Sequence, residues 1–178
     1  MKKIAVFGKP GSGKSILSKN LSLATGIQLH QLDSILYKNN GDQVDRKMFN
    51  EEHERILSSR TWIIDGFGPI DSFYKRLNIA DTLIYIELPY IVSYWFVTKR
   101  LLKGIYVRPD GWPNGSSIFK GTFESYKTLK LCPKFWNDDF MKKLKKISTE
   151  KSVYVIQSIP ELNGFIEKTC GAQGGGQY

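Results

Sequence analysis

Ile4-Ala5-Val6-Phe7-Gly8-Lys9-Pro10-Gly11-Ser12-Gly13-Lys14-Ser15 is the stretch whose reading decides the fold. A short apolar run meets a glycine-rich turn that closes on a lysine and a hydroxyl. The spacing from Gly8 through Gly13 to Lys14 and Ser15 fits G-x-x-x-x-G-K-[ST], with a buried strand expected over residues 4–7 and a helix over 14–24. Gly8, Gly11 and Gly13 let the backbone take positive φ and turn its N–H groups inward, and Pro10 stiffens the turn between them. The helix that follows aims unpaired N–H groups and the positive end of its dipole at the same spot. A phosphate group is the ligand such a nest accepts, with Lys9 and Ser12 supplying further backbone to the cradle. Lys14 adds a point charge at the β- and γ-phosphates, and the Ser15 hydroxyl is placed to ligate Mg²⁺.

Outward from this loop, composition sets bounds. A chain of 178 residues with 41% hydrophobic content suits one well-buried domain with small insertions. The expected domain is residues 1–170, with an insertion at 34–60, a lid-like segment at 100–118 and a glycine-rich, disordered tail at 171–178. Cys132 and Cys170 stand far apart without a C-x-x-C or a companion histidine cluster. Neither a zinc site nor a disulfide framework is supported, and a reduced, cytoplasmic setting is expected. The apolar run after Lys2 and Lys3 is too short for a signal-peptide core. Residues 83–97 are the most hydrophobic stretch but are interrupted by Glu87 and Pro89, so no membrane partner is expected.

Charge is uneven. Residues 90–151 hold 13 Lys/Arg against 5 Asp/Glu, whereas residues 1–89 hold 12 against 10. A polyanionic partner, steering of nucleotide phosphates, or a solvated lysine face would each account for the surplus.

In chain order, residues 27–32 form a second strand candidate ending at Asp33, an acid on the rim where open α/β sheets bind ligands. Residues 38–45 are a polar turn cluster, and 46–58 read as a helix with Asp45 as its N-cap and Phe49, His53, Ile56 and Leu57 on one face. His53 is read as a core or boundary residue, and neither it nor His30 is assigned to a metal. Residues 61–65 are a third apolar run ending in Asp65, followed by Gly66. A carboxylate there reaches the Mg²⁺ held by Ser15, directly or through water. A fourth strand over 82–88 leads through Pro89 into a helix over 90–103, and turn-rich sequence around Arg108 follows. Arg100 and Arg108 suit closure over a transferring phosphate, where a guanidinium neutralises charge on the equatorial oxygens; helix-end complementarity and a surface ion pair are the plain alternatives. Beyond residue 119 the chain reads as helical, with a lysine-faced amphipathic helix over 139–147, a fifth strand over 152–157 and a last helix over 160–169. Such alternation demands right-handed crossovers and a mainly parallel sheet covered on both faces.

These residues resemble a known family. Gly8 to Ser15, His30-x-Leu32-Asp33, Trp62-x-Ile64-Asp65-Gly66, Ala80-Asp81-x-Leu83-Ile84-Tyr85-x-x-x-Pro89 and Lys99-Arg100 with Arg108-Pro109 are similar to the adenylate-kinase-like P-loop proteins described as DNA topology modulation proteins. The similarity runs from Met1 to Gly111. It implies a P-loop NTPase fold, a five-stranded parallel sheet in the nucleoside-monophosphate-kinase arrangement, with ATP and Mg²⁺ at the loop. It implies ATP binding at Gly11, Gly13, Lys14 and Ser15, an acceptor-side acid at Asp33, a metal-side acid at Asp65, and lid-region arginines at Arg100 and Arg108. Ser34 stands where the family often has a second acid. Asp65-Gly66-Phe67 looks like adenylate kinase proper, but Gly68-Pro69 replaces that enzyme's Pro-Arg, so its acceptor-gripping arginine is missing there.

Two functions follow as expectations. The first is an ATP-dependent phosphotransferase acting on a small-molecule acceptor, with Lys14, Asp33, Arg100 and Arg108 as candidate catalytic residues. The second is a nucleotide-binding, DNA-associated regulator with nucleic acid as its partner.

Overall fold

The apolar runs become strands that alternate their side chains between two helical layers, as period two requires of a sheet covered on both faces. A computed structural model describes residues 1–38, 42–104 and 118–171. In chain order the elements are β1 (Lys3–Gly8), α1 (Lys14–Thr25), β2 (Leu29–Gln31), α2 (Leu32–Leu36), α3 (Arg46–Ser58), β3 (Trp62–Asp65) and α4 (Ile70–Ile79). There follow β4 (Thr82–Ile86), α5 (Tyr90–Gly104), α6 (Ile118–Phe135), α7 (Asp138–Ile147), β5 (Ser152–Ile156) and α8 (Ile159–Cys170). The five strands form one all-parallel sheet in the order β2-β3-β1-β4-β5.

On β1, Ile4 and Val6 face one layer and Ala5 and Phe7 the other. The first layer packs Leu17 and Leu21 of α1 and Leu162 and Ile166 of α8 against Ile63, Ile84 and Ile86. The second is larger and aromatic: Trp136, at the α6–α7 corner, stacks on Tyr85 at 5.0 Å and on Phe7 at 5.9 Å between ring centroids. Phe73 of α4 meets Phe7 edge-on at 5.3 Å. Among the described residues no helix is long and apolar enough to cross a membrane.

Several sequence expectations are corrected. The second strand does not reach Asp33. It ends at Gln31, because its one neighbour, β3, pairs with it over only three residues, and the buried Leu32 then turns the chain into α2 against Gly66. The fourth strand stops at Ile86 rather than at residue 88. Helix α4 is an element the sequence reading passed over, although Pro69 before Ile70 and the pair Phe73 and Leu77 signal it. As expected, Asp45 caps α3 by accepting from Lys47 N at 2.8 Å, and the face carrying Phe49, His53, Ile56 and Leu57 turns out to be the buried one. Most of the lid-like segment and residues 172–178 of the tail lie outside the described residues.

Candidate functional site

The parallel register sets the site. Val6 pairs with Asp65 and Gly8 with Ile86, so the turn leaving β1 sits between the carboxyl ends of β3 and β4. Two glycines in it have no substitute. A Cβ on Gly8 would lie 2.2 Å from the Ile86 carbonyl oxygen, and one on Gly11 (φ 70°) would lie 2.5 Å from that of Ser93. Gly13, at φ 84°, precedes α1 as its N-cap and offers no side-chain acceptor to the first turn. No side chain caps the N–H groups there, an arrangement that suits an anion.

Lys14 folds back over this turn and donates from Nζ to the Lys9 carbonyl at 2.8 Å. Burial pulls its ammonium below the usual lysine range, opposed first by Asp65 and then by Asp33. Ser15 donates from Oγ to Asp65 Oδ2 at 2.8 Å, across fifty positions of sequence. Asp65 is 5% exposed, its Oδ1 is buried without a hydrogen-bond partner, and burial raises its carboxyl above the ordinary aspartate value against the pull of Lys14 and Ser15. A hydroxyl beside a carboxylate that keeps one oxygen unpaired suits a hard divalent cation, which takes oxygen ligands and completes its shell from phosphate and water. Ser12 brings a second orphan to the turn, a buried Oγ with no partner.

Lys9 contributes its backbone rather than its amine. That side chain is 2% exposed and its Nζ lies 4.1 Å from the centroid of the Tyr90 ring, where burial lowers its ammonium. Asp33 sits exposed in the first turn of α2, and its charge is felt at Lys14, Asp65 and Arg100 alike. Arg100 of α5 donates from Nη2 to Ser125 Oγ of α6 at 2.9 Å, with burial lowering its guanidinium. The structure therefore brings Ser15 and Asp65 into direct contact, with Lys14, Asp33 and Arg100 within electrostatic reach. Arg108 lies outside the described residues.

One residue of this neighbourhood escaped the sequence reading. Arg76 of α4 is wholly buried and donates from Nη2 to the carbonyls of Gly66 and Phe67, both at 2.9 Å. Burial pulls its guanidinium down to about 10, opposed by the Asp65 charge. Its signal in the sequence was an arginine at i+3 from Phe73, on the apolar face of an unread helix.

No family model matches the chain, and no curated protein is significantly similar to it in sequence. Among solved structures it is similar to a shikimate kinase from Bacteroides thetaiotaomicron, with TM-score 0.54, 12% identity, and 93% of this chain and 94% of that chain covered. A gluconokinase from Sinorhizobium meliloti 1021 matches with TM-score 0.50 and 16% identity over 95% of this chain and 89% of that one. A sugar kinase from Janibacter sp. HTCC2649 matches with TM-score 0.46 and 12% identity over 96% and 90%. The first two support the α/β P-loop kinase fold already visible in the strand order.

Proposed function

We propose that this protein is an ATP-dependent small-molecule kinase. The observation that carries the reading is the contact between Ser15 Oγ and Asp65 Oδ2 beside an unpaired Asp65 Oδ1, at the mouth of a glycine turn closed by Lys14. Lys14 would leave the Lys9 carbonyl for the β- and γ-phosphate oxygens, and the turn's N–H groups would hold the polyphosphate. Ser15 and Asp65 would hold Mg²⁺, whose chemistry there is to neutralise phosphate charge. Asp33 orients an acceptor hydroxyl and takes its proton; Arg100, with Arg108 beyond the described residues, offsets charge on the transferring group. A single domain with an acceptor-side insertion and a lid, in the cytoplasm, completes the proposal.

Turnover of ATP screened against nucleoside monophosphates, nucleosides and sugars, with buffer as the hydrolysis control, tests it. Lys14→Ala is expected to cut product formation by about a hundredfold or more. Unchanged turnover in that variant removes the loop from the reaction.

A second reading keeps the resemblance to DNA topology modulation proteins and has the protein bind nucleic acid. Its support is the face of α7 on which Lys142, Lys143, Lys145 and Lys146 are all exposed. Duplex binding whose affinity falls steeply with salt separates it from the first.

A further inference from the structure

Arg76 poses a question that core packing does not answer. Its side chain is 0% exposed, and among the described residues no carboxylate lies within ion-pair distance of it. Taking a guanidinium out of water without such a partner is expensive, so the hydrogen bonds it makes must matter. Three surround it. Nη2 donates to the Gly66 and Phe67 carbonyls, and Nη1 stands 3.4 Å from His53 Nε2. Arginine has only donors, so His53 Nε2 must accept and its proton must sit on Nδ1. Burial and the Arg76 charge together press the imidazole toward that neutral form. His53 is itself stacked on Phe49 at 5.6 Å with the rings 13° apart, and Phe73 lies under the guanidinium at 5.5 Å.

Gly66, at φ 119°, is the residue directly after Asp65, and its N–H donates to the Val6 carbonyl at 3.1 Å. Asp65 is thus held on its N-terminal side by the sheet, and on its C-terminal side by one bond to β1 and two to Arg76. We propose that Arg76 is a positioning residue. By clamping the carbonyls of Gly66 and Phe67, with His53 clamping it in turn, it sets the direction in which Asp65 presents Oδ1 beside Ser15, and so sets the affinity of this pair for Mg²⁺ in the nucleotide complex. The inference rests on the proposed ATP site and goes beyond it by assigning a determinant of metal affinity to a residue that touches neither metal nor nucleotide.

The test is calorimetric binding of ATP with and without Mg²⁺ to wild type, Arg76→Met and Arg76→Lys, alongside thermal unfolding of each unliganded protein. Loss of a group that orients a metal ligand costs tenfold or more in metal affinity, so Arg76→Met should lose about tenfold of the Mg²⁺-dependent gain in ATP affinity. Its Mg²⁺-free ATP affinity should stay near wild type, since the loop N–H groups are untouched. Arg76→Lys keeps a cation, with its three N–H donors on a single nitrogen, and should recover part of the gain. A purely structural arginine would lower the unfolding temperature and leave the Mg²⁺-dependent gain as it was, which overturns the proposal. Equal loss with and without Mg²⁺ overturns it too, by showing damage to the loop. If Arg76→Met does not fold, Arg76→Lys decides: a smaller Mg²⁺ gain supports the proposal and a wild-type gain sinks it. Wild-type protein that ignores ATP overturns the proposed function, and this inference with it.

Discussion

His53 titrates far from an ordinary histidine, at about 4, because burial first and Arg76 second disfavour its charged form. Its folded pKa lies below its unfolded one, so the unfolded chain takes up the proton first as pH falls. The stability His53 contributes as a neutral acceptor is therefore complete above about pH 6.5 and is lost as pH drops toward 4. A shift of this size corresponds to at most about 3 kcal/mol. Denaturant unfolding at pH 7 and at pH 4.5 should show wild type losing more stability than His53→Gln, which can still accept from Arg76 but cannot protonate. Parallel losses in the two proteins would assign the acid sensitivity elsewhere. Its spacing with Phe49 and Leu57 makes His53 a core or boundary residue in the sequence, and the structure buries it. What the sequence could not show was the partner, since Arg76 is brought to His53 by the packing of α4 on α3.

Elements differ in how openly the sequence declares them. Strands β1, β3 and β4 are short apolar runs bounded by glycine or an acid, and period and punctuation suffice to find them. Helix α4 is legible in the sequence, with Pro69 at its start and Phe73, Arg76 and Leu77 on one buried face, although the reading from 61–65 to 82–88 leaves it out. Apolar residues continue to Leu32 and so predict Asp33 at a strand end, yet hydrogen-bonding partners, not hydrophobicity, end an edge strand. The turn from β1 into α1 makes the clearest demand on single residues. Gly11→Ala puts a Cβ on the Ser93 carbonyl at a positive φ and should cost about 2 kcal/mol or more, with ATP affinity falling alongside. Gly26→Ala has the same handedness of backbone (φ 69°) and nothing within 4 Å of the new atom, so about 1 kcal/mol and no change in ATP affinity is expected. Chemical denaturation of both variants makes the comparison.

Across the whole molecule, the aromatic layer ties the distant C-terminal helices to the strand that ends in the glycine turn. Trp136 is 8% exposed and touches both Phe7 and Tyr85, so Trp136→Ala should cost about 3–5 kcal/mol. Because Phe7 adjoins Gly8, ATP affinity should weaken in the same variant; a stability loss of under 1 kcal/mol would mean the corner repacks freely. The amino-acid sequence alone determined the parallel α/β class, the glycine turn with Lys14 and Ser15, and the carboxylate that closes β3, since each rests on local spacing and on what a backbone without Cβ can do. Only the tertiary structure decided that β3 lies beside β1 in the register that pairs Val6 with Asp65, which is what joins Ser15 to Asp65 and lets Arg76 reach the turn behind it. Those contacts span from nine to fifty-nine positions of chain, and no local preference encodes them: they follow from which layers must pack together to bury the apolar faces of the sheet.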